Sequence, residues 1–460
     1  MRQSLPTAII LLLVPAGSWA QLGNAPSTSM AGPTAFGNGV QPQLTYAGTV
    51  APSNLISFSL STETGYDSNI GNLGAQPVGG AFLSLGPNIG VARRGEHLSI
   101  DLDYYPRYLF YPGQEQYDNL NQVLALGASY RFGPRVTLEV RDSFSSQSGN
   151  FQPGLSNPSS AVPGLGPPTT LNQTVYTGFV RQQNNGLRVD AIYQMSGRTS
   201  FTLFGGYNQL HFTGQPPNGQ RLLNTRGTSG GLQYAYRLSE HTTLGVLYLY
   251  QNFDFEGSES VIGAQSRMTV HSVLASFAWQ LSPSVALSVF GGPQYIPSEE
   301  YFVPSPTLPG GGVTVGNPLF RSQWNEAAGG TLTKQVEKTA FNLMVQRSVT
   351  DGGGLLTAVT SSSLGVGARR KLRRGWDASL NVTYALTDGL TLPSLPRNNF
   401  SSESATLALD HSLSETMTAR LSYTFTHQSN IALVPVAATF DRSRVSLSFS
   451  YRAKSIPLSH

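Results

Sequence analysis

The stretch Trp376-Asp377-Ala378-Ser379-Leu380-Asn381-Val382-Thr383-Tyr384-Ala385-Leu386-Thr387 decides the fold. Its apolar residues fall on the even positions, and its polar residues fall mostly on the odd ones. Successive side chains of a strand point to opposite faces, so this segment separates an apolar environment from a wet one. The pattern recurs elsewhere. Leu98, Ile100, Leu102 and Tyr104 alternate with Ser99, Asp101, Asp103 and Tyr105. Val445, Leu447, Phe449 and Tyr451 alternate with Arg444, Ser446, Ser448, Ser450 and Arg452. From Asn54 onward a period of two dominates, which predicts strands.

A longer repeat organises these strands. Short polar turns recur at Arg93 to Glu96, Arg131 to Thr137, Gln194 to Thr199, Arg237 to Thr242 and Gln280 to Val285. They continue at Lys334 to Thr339, Arg370 to Trp376 and Ser412 to Thr416. The intervening connections are longer and carry most of the prolines, among them Pro153 to Pro168, Pro216, Pro217 and Pro297 to Pro318. Short turns at one end and long loops at the other are the asymmetry of an outer-membrane barrel. Eight short turns joining nine loop-bearing hairpins predict an all-β, transmembrane, antiparallel up-and-down barrel of about 18 strands. The range is 16–20, because Asn172 to Met195 reads either as one long strand or as a hairpin turning at Asn184-Asn185-Gly186.

The composition agrees. Only 12% of the 460 residues are charged and 39% are apolar, whereas soluble domains average about 25% and 45–50%. An aromatic content of 10% argues against disorder. A soluble sheet protein would guard its edges with charge, lysine above all. Here lysine occurs only at Lys334, Lys338, Lys371 and Lys454. Aromatic residues gather instead near strand ends, as Tyr104, Tyr108 and Phe110 or Tyr130 and Phe132 do, where rings meet the lipid–water interfaces. The absence of cysteine excludes disulfides, thiolate metal sites and a cysteine nucleophile. A net charge of +4 gives no indication of nucleic acid as a partner.

Residues 1–20 have the form of a secretory signal, with Arg2, an apolar core from Ala8 to Val14, and Ser18-Trp19-Ala20 before the cleavage point. Residues 21–53 form a Gly-, Pro-, Ser- and Asn-rich periplasmic lead-in, 54–452 the barrel, and 453–460 a C-terminal tail.

A barrel of this size encloses an aqueous lumen unless something fills it. The polar face of each strand assigns Asp101, Asp103, Arg107, Arg131, Glu139, Arg141, Arg188, Asp190, Arg237, Asp377, Asp410 and Arg444 to the lumen. An arginine bias on that wall would favour anions or hydrogen-bond sugar hydroxyls. The opposing reading is mutual neutralisation, since Glu139 with Arg141, and Arg188 with Asp190, share a face at a spacing of two. Loops 149–171 and 296–320 are candidates for a constriction, with surface display as the alternative. The basic run Arg369, Arg370, Lys371, Arg373 and Arg374 falls at a short turn and reads as a solvated face.

No enzyme is described by the sequence. Gly227-Thr228-Ser229-Gly230-Gly231 matches a nucleophile-elbow spacing, yet it opens a strand and no helical pattern follows. Asp410 and His411 are adjacent and therefore point to opposite faces of a strand. The remaining histidines show no ligand spacing, so neither a metal nor another cofactor is implied.

The run Ile56 to Thr64, followed by Gly65-Tyr66-Asp67-Ser68-Asn69, resembles the opening of the β-barrel porin type 2 family. The Tyr236 to Thr242 turn is similar to that family's turns. The resemblance spans about 54 to 452 and implies a Gram-negative outer-membrane barrel, often placed with exopolysaccharide or surface-assembly functions. One departure is that Tyr451 is followed by a tail to His460, where such barrels usually end on an aromatic residue. The expected function is passage or export of hydrophilic solutes. The alternative is a closed structural barrel for polysaccharide or cell-surface assembly. Expected partners are outer-membrane lipids, the barrel assembly machinery, and polysaccharide or small hydrophilic solutes.

Overall fold

The computed structural model describes residues 54–74, 76–148, 175–214, 222–257, 267–301, 319–390, 399–430 and 439–458. The signal, the lead-in, all of loop 149–171 and residues 302–318 of loop 296–320 lie outside these residues.

The chain runs through β1 (Leu55–Asp67), β2 (Gly80–Arg94), β3 (Leu98–Phe110), β4 (Asn119–Arg131) and β5 (Val136–Ser148). It continues as β6 (Arg181–Gln194), β7 (Thr199–Thr213), β8 (Asn224–Ser239), β9 (Thr242–Glu256) and β10 (Arg267–Ser282). Next come β11 (Val285–Tyr301), β12 (Leu319–Val336), β13 (Thr339–Gly352), β14 (Leu356–Arg373) and β15 (Trp376–Gly389). The last are β16 (Asn399–Ser412), β17 (Met417–Asn430), β18 (Phe440–Arg452) and a two-residue β19 (Ile456–Pro457). A single 3-10 turn, Glu115–Tyr117, lies between β3 and β4.

From β1 to β18 each strand pairs antiparallel with its sequence neighbours, and β18 closes the ring on β1 from Ser59↔Arg452 to Asp67↔Arg444. The result is a closed 18-strand up-and-down barrel. All eight predicted short turns join the strand pairs they were assigned to. β6 is a single strand, with Asn184, Asn185 and Gly186 paired to β5 and β7 in mid-ladder. The hairpin reading therefore gives way. Both neighbours hydrogen-bond the segment, and in a sheet that outweighs local turn propensity. Residues after Arg452 continue along β1, where Ile456 pairs with Ile56 and the Leu458 N–H donates to the Asn54 carbonyl at 2.9 Å.

The two faces of the wall differ as alternation predicts. Leu380, Val382, Tyr384, Leu407, Leu421, Val445 and Leu447 are exposed on the outside. Such a continuous apolar surface is what lipid solvates and water does not. Inward positions such as Asn381, Thr383, Ser404, Ser422, Thr424 and Ser448 are polar and half-buried.

One connection at the loop end departs from expectation. β13 and β14 are joined by only Gly353, Gly354 and Leu355, with Gly353 and Gly354 at φ 61° and 86°. Residues 349–360 are buried apart from Thr350 and Leu356, on both strand faces. The hairpin tip has left the wall and folded into the barrel.

Candidate functional site

Two described segments cross the loop end of the lumen. The first is the β13–β14 tip. β12 pairs with β13 only from Val336↔Thr339 to Ala328↔Arg347, and beyond Arg347 the hairpin departs inward. Val349 has the parity of the outward-facing Val345 and Arg347. It packs nonetheless with Phe253, Phe255, Met268, Val270 and Ile296, which come from the inner face of β9, β10 and β11. The N–H of Val349, lost to the ladder, donates to Gln294 Oε1 at 3.1 Å, and Gln294 Nε2 donates to Ser272 Oγ at 3.0 Å. At the tip, the Leu223 N–H donates to the Gly354 carbonyl at 2.8 Å, and Gly354 lies against the Phe212 ring. Phe212 and Leu223 flank the β7–β8 connection, six strands around the wall.

The second crossing is the segment 175–180 that leads into β6. Tyr176 exchanges two hydrogen bonds with the Gln428 side chain of β17, at 2.9 and 3.0 Å. Its ring meets Phe440 of β18 edge-on at 6.3 Å. Asn72 Nδ2 donates to the Thr177 carbonyl at 2.9 Å, and Phe179 meets Tyr117 edge-on at 4.9 Å. Segment 175–180 spans the mouth, whereas loop 149–171, singled out from its prolines, lies outside the described residues. Of the other candidate, 296–320, residues 296–301 and 319–320 are strand.

The apolar groups around these crossings pack under the mouth. Beside the hairpin lies the cluster already described. On the other side, Ile70, Phe82, Leu109, Tyr111 and Tyr117 pack together. Tyr111, outside the strands, has its phenol pushed up to about 12, because burial removes the water that would solvate the phenolate.

The charged lumen candidates are largely paired. Arg107 of β3 and Arg444 of β18 converge on Glu63 of β1 at 2.6 and 3.1 Å, and Arg444 stacks on Phe82 at 4.2 Å. Arg141 pairs with Glu139 and reaches Asp190 at 3.6 Å, while Arg188 holds Asp190 at 2.8 Å. Arg188 also covers the Phe204 ring at 4.4 Å. Asp101 faces Arg94 at 3.7 Å and Asp377 faces Arg369 at 3.5 Å. Asp410 lies 3.6 Å from Arg420. Asp103, Arg237 and Arg131 have no ion-pair partner among the described residues, and Arg131 is exposed at the turn end.

Several residues of this wall escaped sequence reasoning: Glu63, Asp67, Arg94, Arg420 and Arg442. The alternation places all of them on inward positions, so parity alone could have found them. Asp67 is fully buried and gripped by Arg442, which also donates to Asn72 Oδ1 at 3.3 Å. Of the sites set aside, Ser229 lies inside β8 between Gly206 and Gln251, where no strand-to-helix elbow exists. Asp410 faces inward, whereas His411 stacks on Trp376 at 4.2 Å. In the basic turn, Arg373 lies over Trp376 at 5.2 Å.

No family model matches the chain, including any for the porin family that it resembles. No curated protein matches it. Similar solved structures include the outer membrane protein OpdK of Pseudomonas aeruginosa, at 11% identity and a TM-score of 0.42 over 86% of this chain and 99% of that one. OccK2 (OpdF) of the same organism, in complex with glucuronate, shows 11% identity and a TM-score of 0.44, over 87% and 98% of the two chains. OccAB4 of Acinetobacter baumannii shows 12% and 0.41, over 88% and 99%. At such identity the likeness is one of barrel shape.

Proposed function

We propose that the protein is an outer-membrane channel for the passive passage of hydrophilic solutes, constricted at its loop end by the two crossings. The observation that carries this reading is the half-exposed polar inner wall. Short side chains such as Ser379, Asn381, Thr383, Ser422 and Thr424 keep access to solvent, whereas a packed interior would cover them. The apolar outer wall fits the barrel to a bilayer, and pairing every backbone group around a closed ring is what a spanning sheet requires.

The ion pairs set the selectivity. Because each cluster joins arginine to carboxylate, the wall presents little net field. The channel therefore discriminates by size and hydrogen bonding more than by charge. The test is single-channel recording of the purified protein in a planar bilayer, with a salt gradient. Steady small steps with a reversal potential near zero are the expected result. A folded but silent protein would overturn the channel reading.

A further inference from the structure

All eight short turns lie within the described residues, and one corner of that rim is strongly basic. The β12–β13 turn carries Lys334 and Lys338, and the β14–β15 turn carries Arg370, Lys371, Arg373 and Arg374. The two turns adjoin, since the Lys371 N–H donates to the Lys338 carbonyl at 2.9 Å. All six cations are exposed, and none enters an ion pair among the described residues. Asp377 is taken by Arg369, and Glu337 is the one unpaired acid of the two turns. Outside the described residues the sequence holds a single acidic side chain, Glu259, between β9 and β10, and residues 21–53 are uncharged.

The register divides these cations between the two faces. Lys334 lies opposite Phe341, and Arg370 lies opposite Thr339 and Ala378, on the parity of the lipid-facing Leu343 and Val366. Arg369 and Lys371 have the inward parity. A register shift between Lys371 and Arg373 then turns Arg373 outward, opposite Trp376. Its guanidinium lies over that ring at 5.2 Å, and His411 stacks on the ring at 4.2 Å. Val336, Phe341 and Leu372 stand exposed among these cations.

We propose that this corner is a binding site for an anionic glycerophospholipid of the leaflet at the turn end. Lys334, Arg370 and Arg373 hold its phosphodiester, Trp376 seats the glycerol, and Phe341 and Leu372 receive the first acyl carbons. Lys334 and Arg370 flank β13, two strand spacings or roughly 10 Å apart across the sheet, a distance two long side chains close onto one phosphate. Charge selects the lipid, because a zwitterionic head group would bring its own ammonium among six cations and one acid. Position selects a lipid over a soluble acidic protein. The cations end the outward rows Phe341–Leu343–Val345 and Leu364–Val366–Ala368, where an apolar wall meets the head groups. Each Lys or Arg at an anionic lipid surface strengthens attachment by about fivefold. The site requires only a barrel that spans a bilayer, so conductance does not bear on it.

Trp376 is one of four tryptophans. With Trp19, Trp279 and Trp324 replaced by phenylalanine, its fluorescence reports the lipid beside it. The protein is reconstituted into phosphatidylcholine vesicles with rising fractions of phosphatidylglycerol or phosphatidylcholine carrying dibrominated acyl chains, which quench the ring on contact. Folding is verified by the heat-dependent shift in gel migration. Half-maximal quenching is expected at a mole fraction at least about fivefold lower for phosphatidylglycerol. Lys334→Gln/Arg370→Gln, which leaves the Arg373–Trp376 contact in place, is expected to abolish that difference. Arg135→Gln/Arg198→Gln removes the same charge from two other short turns and is expected to keep it. Equal quenching by the two lipids would overturn the proposal and leave the corner to a water-borne acidic partner. An equal loss in both double variants would also overturn it, by showing a general field of the rim in place of a site. A preference that survives Lys334→Gln/Arg370→Gln would overturn the assigned residues.

Discussion

Gly354, at the tip of a hairpin that belongs to one side of the barrel, lies against the ring of Phe212 on another. A Cβ built on Gly354 would overlap that ring, and its φ of 86° is one that L side chains rarely adopt. Gly354→Val therefore cannot keep this contact. Left-handed backbone costs a non-glycine residue about 1–2 kcal/mol, and the steric overlap adds to it. The hairpin tip is expected to withdraw, and single-channel conductance to rise. Unchanged conductance would mean that the tip does not limit the pore.

Gln294 holds the same hairpin from behind by accepting the Val349 N–H. Gln294→Ala leaves a buried donor unmatched, at a cost of about 1–3 kcal/mol. Amide exchange at Val349, followed by mass spectrometry, is expected to quicken by roughly one to two orders of magnitude. The turn-end half of β13 should exchange as before.

The Arg442–Asp67 pair is the most deeply buried ion pair among the described residues. Arg442→Met strands a carboxylate that water does not reach, and breaking such a pair costs about 3–5 kcal/mol. Denaturant midpoints, read by tryptophan fluorescence in detergent, should fall accordingly. Adding Asp67→Asn to Arg442→Met is expected to recover part of the loss. No recovery would show that Arg442 acts through its other contacts.

Arg141 neutralises both Glu139 and Asp190. Arg141→Gln uncovers negative charge on the inner wall, so the reversal potential in a salt gradient is expected to move toward cation preference. Arg188→Gln should move it less, because Asp190 keeps Arg141.

Tyr111 supplies a pH signature. Its phenol is pushed up to about 12, against about 10 in the unfolded chain. Between those values the unfolded chain has released a proton that the folded barrel retains. Stability is therefore full below about pH 10 and falls as pH rises toward 12. Denaturant midpoints across this window should decline more steeply in the wild type than in Tyr111→Phe.

The strand count and the turn end were legible because both are local. A period of two needs only neighbouring residues, and the Ser412 to Thr416 turn carries its own hydrogen-bonding groups. The Glu139–Arg141 and Arg188–Asp190 pairs, at a spacing of two, followed from the same parity. Parity misplaced Val349. Nothing within its strand distinguishes it from Val345, and only the departure of the hairpin turns it from the outer surface to the inner cluster.

The sequence by itself determined which face of the wall most strand residues take, because that choice belongs to each strand separately. Tertiary structure decided what stands opposite what. Arg444 and Glu63 are 381 residues apart and meet only because β18 closes on β1. Gly354 reaches Phe212, and Tyr176 reaches Gln428, only across the enclosed space. Closure creates those distances, and no alternation along a single strand encodes them.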